Sequence, residues 1–276
     1  MPSAIALRRE LSARAQQIAA DSSSTHYLTL SEAPSVIFSP TDDRAHANFH
    51  PSSYRNICAN LPWSRRLAKV HTSGPKASSS VNRRWRELDS ATSSDALLMN
   101  VFCYSRVMKN KELCAVLGVR PGHTPQFGFK PRISLRNGNV DRTEIDMKLG
   151  SLLVEAKLTE SNFQSAPVRL LERYLSLDEV FDCTMWTRNR DRVPGYQLIR
   201  GVLAANSTGG SFCVLCDARR PDLIENWYAV MRTVRNCDLR CRLQLLTWQE
   251  LAGLLPRTLQ RFLAVKYGII RPDLRP

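Results

Sequence analysis

TEIDMKLGSLLVEAKLT, residues 143–159, alternates apolar and charged side chains on either side of Gly150-Ser151. Alternation with a period of two marks β-strands, and a two-residue turn with glycine joins them as a hairpin whose register the turn itself sets. Leu149 then faces Leu152; counting outward, Asp146 faces Glu155 and Glu144 faces Lys157. One face carries Ile145, Met147, Leu149, Leu152, Val154 and Ala156, all apolar, and the other Glu144, Asp146, Lys148, Leu153, Glu155 and Lys157. Opposed side chains stand about 4.5–5.5 Å apart at Cβ, so Asp146 and Glu155 can share a cation. On a solvated face, Glu144 and Lys157 would form an ordinary ion pair. Such a face does not explain the Asp146–Glu155 opposition, which destabilises the ladder unless positive charge offsets it.

The flanks predict the rest of the fold. Ser93 or Ser94 caps a helix with Asp95 in its first turn and Leu97, Leu98, Val101, Phe102 and Tyr104 as its apolar face. Residues 133–136 run as a strand into Asn137-Gly138, a strong hairpin signal, and with 143–149 and 152–159 they predict an antiparallel meander. A helix over 168–181 follows, then a basic loop with Arg188, Arg190 and Arg192, and a helix over 196–205 ended by Asn206 and Gly209-Gly210. A strand at 212–216, a helix opened by Pro221, a strand at 242–247 and a closing helical region complete the order. The class is α/β, a mixed central sheet with a meander, flanked by helices.

Asp146, eight intervening residues and Glu155-Ala156-Lys157 together resemble the signature of the PD-(D/E)XK nuclease superfamily, the restriction-endonuclease-like fold. The resemblance covers residues 93–247, with Ile145 where the signature's name has Pro. It implies Asp146, Glu155 and the backbone carbonyl of Ala156 as ligands of Mg²⁺ or Mn²⁺, and Lys157 as the residue that orients the attacking water. An acid from the first core helix, here Asp95, is a further family candidate. Glu144, beside the pair, could hold a second metal or pair with Lys157, and Gln197 could reach phosphate from its helix. The implied activity is metal-dependent hydrolysis of DNA phosphodiesters by a restriction- or defence-type endonuclease. The alternatives are an inert nucleic-acid-binding module of the same fold, and a nuclease acting in repair or on RNA.

Charge agrees with a polyanionic partner. The 276 residues hold 39 Lys and Arg against 25 Asp and Glu, a formal charge of +14. Arg55, Arg65, Arg66, Lys69, Lys76, Arg83, Arg84 and Arg86 occur with no acid among them, interleaved with Trp63 and Trp85. Arg65, Arg66, Arg83, Arg84, Arg188 and Arg190 are therefore the expected DNA contacts. Residues 1–92 form a basic N-terminal extension without resemblance to a known family, and 93–276 the nuclease-like domain. The extension opens with a short amphipathic helix on Ile5, Leu7, Leu11, Ala15 and Ile18, and residues 21–53 and 72–82 read as irregular. No apolar run approaches the roughly 20 residues of a membrane span, and the N-terminus lacks the apolar core of a secretory signal, so a cytoplasmic location is expected. A homodimer is compatible with these features. Cys213, Cys216, Cys237 and Cys241 only superficially resemble a zinc site, because a strand sends the first two to opposite faces. The five histidines show no ligand spacing.

Overall fold

The computed structural model describes residues 3–40, 45–70 and 85–271. They form two units, one running to Val116 and resuming at Trp248, the other spanning Leu117–Thr247. The boundary expected at 92/93 falls inside the first unit, which includes the helix beginning at Ser94.

The second unit is built on the hairpin. β6 (Ile145–Leu149) and β7 (Leu152–Ala156) pair antiparallel, with Leu149 opposite Leu152, Lys148 opposite Leu153 and Met147 opposite Val154. Gly150 makes the turn at φ +61°, a left-handed backbone that a side chain would strain. β3 (Gln126–Phe129) pairs antiparallel with β6, while β10 (Ser211–Cys216) and β11 (Leu243–Thr247) add in parallel beyond β7. The five-stranded mixed sheet runs β11-β10-β7-β6-β3.

The first strand of the meander is thus β3, not residues 133–136. Those residues form β4 (Ile133–Ser134), paired with β5 (Val140–Asp141) in a separate hairpin around Asn137-Gly138. Gly128, at φ +67°, interrupts the short Phe127–Phe129 alternation that marks β3.

α8 (Tyr196–Thr208) and α9 (Pro221–Met231) pack on the sheet face that carries Leu153, Phe212, Val214 and Cys216. Gly201 allows the close approach: a Cβ there would lie 2.1 Å from the Phe212 ring. The helix expected over 168–181 is broken into α6 (Val168–Leu171) and α7 (Leu177–Val180). Between them the Arg136 amide donates to the Arg173 carbonyl at 2.8 Å and the Leu175 amide to the Ser134 carbonyl at 3.1 Å. The β4 hairpin captures backbone groups that a continuous helix would have kept for itself. β8 (Ser165–Pro167) with β9 (Arg192–Pro194), and α10 (Cys237–Arg240), complete this unit.

In the first unit, α1 (Ala4–Asp21) buries Leu7, Leu11 and Ala15 as expected, but Ile5 is exposed and Ile18 only half-buried, and Ala19 is buried in the last turn. Residues 21–53 are more regular than expected, holding antiparallel β1 (His26–Leu28) and β2 (Val36–Phe38) and the start of α2 (Pro51–Ala59). Val36, Ile37 and Phe38 are all buried, and three consecutive apolar side chains anchor a segment that its polar flanks disguise. α3 (Leu61–Ser64) and α5 (Lys111–Val116) flank α4 (Ser94–Phe102), whose Ser93 cap accepts from the Ala96 amide at 3.1 Å. α11 (Trp248–Ala252) and α12 (Arg257–Tyr267) close the unit. The loop expected at 72–82, with Arg83 and Arg84, lies outside the described residues. Among the described residues no helix is long and apolar enough to cross a membrane.

Candidate active site

β7 is buried on both faces, so its part of the charged face is not solvated, while Asp146 and Lys148 on β6 are half-buried. Glu155 is 4% exposed and Lys157 5%. Two residues apart on one strand, they point the same way, and Lys157 Nζ donates to Glu155 Oε1 at 2.6 Å. Regular pairing of β6 with β7 ends at Met147–Val154, so Asp146–Glu155 and Glu144–Lys157 are not the ladder pairs the register predicts. Instead Asp146 Oδ2 accepts the Ala156 amide at 2.8 Å, a side-chain oxygen taking the place of a backbone acceptor. That bond holds the Asp146 carboxylate against the peptide joining Glu155 to Ala156. Burial pushes the Lys157 ammonium down, but the carboxylates of Glu155, Asp146 and Glu160 outweigh it and hold Lys157 above the ordinary lysine range. Three carboxylates thus act on this one ammonium.

Three side chains that act here, Glu160, Arg220 and Arg200, escaped the sequence reading. Glu160 Oε2 accepts the Leu158 amide at 2.6 Å, which folds the chain back just past the strand. Arg220 is fully buried; its Nη1 donates to the carbonyls of Glu160 at 2.8 Å and Leu158 at 3.4 Å, and its Nη2 to Ser161 at 3.3 Å. Asp222 steadies the guanidinium with bonds of 2.8 and 2.7 Å. On the other strand, buried Arg200 of α8 donates to the Glu144 carbonyl at 3.0 Å and lies 3.4 Å from Asp141. Gln197 is half-buried in the first turn of α8, its amide bonded to the Phe163 carbonyl at 3.1 Å.

A model of the family described as "restriction endonuclease associating with ARP" matches residues 15–268. The chain belongs to this family. Neither the curated proteins nor the solved structures gave a match. The mixed sheet flanked by helices is consistent with a restriction-endonuclease-like fold, and the family is of nuclease type. The match begins well before residue 93, so much of the segment that resembled nothing by itself is part of the family.

In this restriction-endonuclease relative the remaining candidates have local surroundings of their own. Asp95, buried in the first turn of α4, pairs with Arg66 at 2.8 Å and Lys69 at 3.5 Å within the first unit. Arg66 is mostly buried by that pair, whereas Arg65, Arg188 and Arg190 are exposed and open to phosphate. Cys213 and Cys216 are buried on β10 while Cys237 and Cys241 are exposed, and all four are free thiols. Among the described residues no three His, Cys, Asp or Glu side chains form a ready metal cage. The donors that the signature implies, Asp146, Glu155 and the Ala156 carbonyl, are hard oxygens of the kind that would suit Mg²⁺ or Mn²⁺.

Proposed function

We propose that this chain is a metal-dependent nuclease that hydrolyses DNA phosphodiester bonds, acting as an endonuclease of restriction or defence type. The observation that carries the reading is the closeness of half-buried Asp146 to buried Glu155 and Lys157 in a chain of a restriction-endonuclease family. Asp146, Glu155 and the Ala156 carbonyl would hold the divalent cation, which neutralises the scissile phosphate and lowers the pKa of bound water. Lys157 stays protonated beside its carboxylates, so it acts as a donor that orients the nucleophile or steadies developing charge rather than as the general base. The +14 charge and the exposed Arg65, Arg188 and Arg190 draw the polyanion in. The family description names an association with ARP, which makes that the first protein partner to seek by co-purification.

The test is cleavage of supercoiled plasmid and of linear DNA with Mg²⁺, with Mn²⁺ and with a chelator. Nicking that needs the metal supports the reading. A protein that binds DNA but cuts no substrate under any of these conditions is an inert binding module instead.

A further inference from the structure

Beside the hairpin, and not used by it, lies a cavity of about 430 Å³. Asp141 and Arg142, just before β6, line one side; Arg173 and Tyr174 line another, and Tyr196 at the start of α8 a third. Its polar end is a fixed network. Tyr174 Oη donates to Asp141 Oδ2 at 2.6 Å, and the Thr143 amide donates to Asp141 Oδ1 at 2.7 Å. Because the Tyr174 proton goes to Asp141, the 3.2 Å contact between the two tyrosine hydroxyls has Tyr196 as donor. The Arg200 guanidinium sits 5.6 Å from the centre of the Tyr196 ring, so that ring is propped from behind. Arg142 and Arg173 are exposed at the rim.

A held aromatic wall with two cations at its mouth suits a planar group that carries a phosphate. The volume falls within the range of about 300–1,000 Å³ usual for small-ligand pockets, far too small for a turn of duplex. A base stacked inside a double helix cannot enter such a cavity, whereas one swung out of it can. Asp141 is five residues from Asp146, at most about 18 Å of extended chain, and Arg200 clasps both Asp141 and the Glu144 carbonyl. One guanidinium therefore ties the cavity wall to the strand that carries Asp146.

We propose that this cavity receives one nucleotide swung out of the DNA, its base against Tyr196 and its phosphate on Arg142 and Arg173. The proposal rests on reading the chain as a DNA nuclease. It predicts a preference for duplexes that offer an unpaired nucleotide.

The probe is a duplex oligonucleotide with a single unpaired 2-aminopurine, compared with the same duplex fully paired. Both are titrated with the full chain in Ca²⁺, and plasmid cleavage in Mg²⁺ is read in parallel. The expected result is at least about fivefold tighter binding of the bulged duplex, with 2-aminopurine emission quenched as its ring stacks. Tyr196→Leu should remove both the preference and the quenching. A double variant, Arg142→Ser with Arg173→Ser, changes only exposed side chains and should weaken bulged binding more than paired binding, which covers the case of a poorly folding Tyr196→Leu. Equal binding of the two duplexes by the parent, or an unchanged preference in both variants, overturns the subsite. Plasmid cleavage without a bulge preference sinks the subsite alone. Failure to bind either duplex sinks it together with the nuclease reading.

Discussion

Asp146→Asn separates chemistry from folding at this site better than any other single change. The Asn side-chain oxygen can still accept the Ala156 amide, so the 2.8 Å tie to β7 survives while the charge that would hold the cation is lost. A bond to an ionised acceptor becomes a neutral one, a loss of about 1 kcal/mol in stability. The expected effect on cleavage is far larger, at least about a hundredfold, since losing one preorganised electrostatic group elsewhere costs roughly 3 kcal/mol. Glu155→Ala behaves differently. It strips the 2.6 Å partner from a buried lysine, and breaking a buried pair in this way costs about 3–5 kcal/mol, a large part of a net stability of about 5–15 kcal/mol. Loss of activity in that variant would therefore confound catalysis with unfolding. The assay for Asp146→Asn is single-turnover nicking in Mg²⁺, with DNA affinity measured in Ca²⁺ and stability by urea denaturation. DNA affinity should hold or rise, because a negative charge beside the phosphate has gone. Nicking within tenfold of the parent, or affinity that falls in step with the rate, would refute the assignment of Asp146 as a cation ligand.

Lys157, held above the ordinary lysine range in the folded chain, contributes stability that is complete below its unfolded value of 10.5 and lost only as pH rises through the higher folded value. The pH–rate profile should accordingly show no limb from Lys157 below about pH 10, and Lys157→Ala should slow turnover without abolishing metal binding; a titration removed by that variant near neutrality would contradict this. Lys266 is the opposite case: buried against the Phe38 ring at 4.6 Å, it is lowered by burial from 10.5 to about 7. The unfolded chain binds its proton across pH 7–10.5 and the folded chain does not, so stability rises with pH there. At about 1.4 kcal/mol per pH unit, Lys266→Met should stabilise the fold by on the order of 5 kcal/mol below pH 7 and by little above pH 10.5, as urea titrations at several pH values would report. Charge reversal of Arg188 and Arg190 should weaken binding to unrelated DNA sequences alike and flatten its salt dependence, and unchanged affinity would take that loop out of the interface.

The hairpin was legible because its information is local. A period of two and a glycine at the turn are enough to place Leu149 opposite Leu152. The same counting failed past Met147, where a side chain displaces the ladder, since alternation describes strands and not where pairing stops. Phe127 and Phe129 were too few, and parted by Gly128, to announce the strand that completes the meander. The helix over 168–181 broke because a hairpin more than thirty residues earlier competes for its backbone at Arg173 and Leu175. Glu160, Arg200 and Arg220 act through contacts that no spacing encodes. Asp95 was recognisable as a first-turn acid, but its pairing with Arg66 and Lys69 depends on a turn far from it in the chain.

Arg220 gives the site a schedule. The backbone of 158–161, including the turn that presents Glu160, is gripped by a guanidinium that the ribosome adds some sixty residues after Lys157. β10, which flanks β7 and contributes the carbonyl that accepts the Lys157 amide, also arrives after the hairpin. A growing chain that has made only β6 and β7 carries the acids without the frame that sets them. The frame around 158–161 is complete only once the later strand and its arginine have closed over the earlier ones.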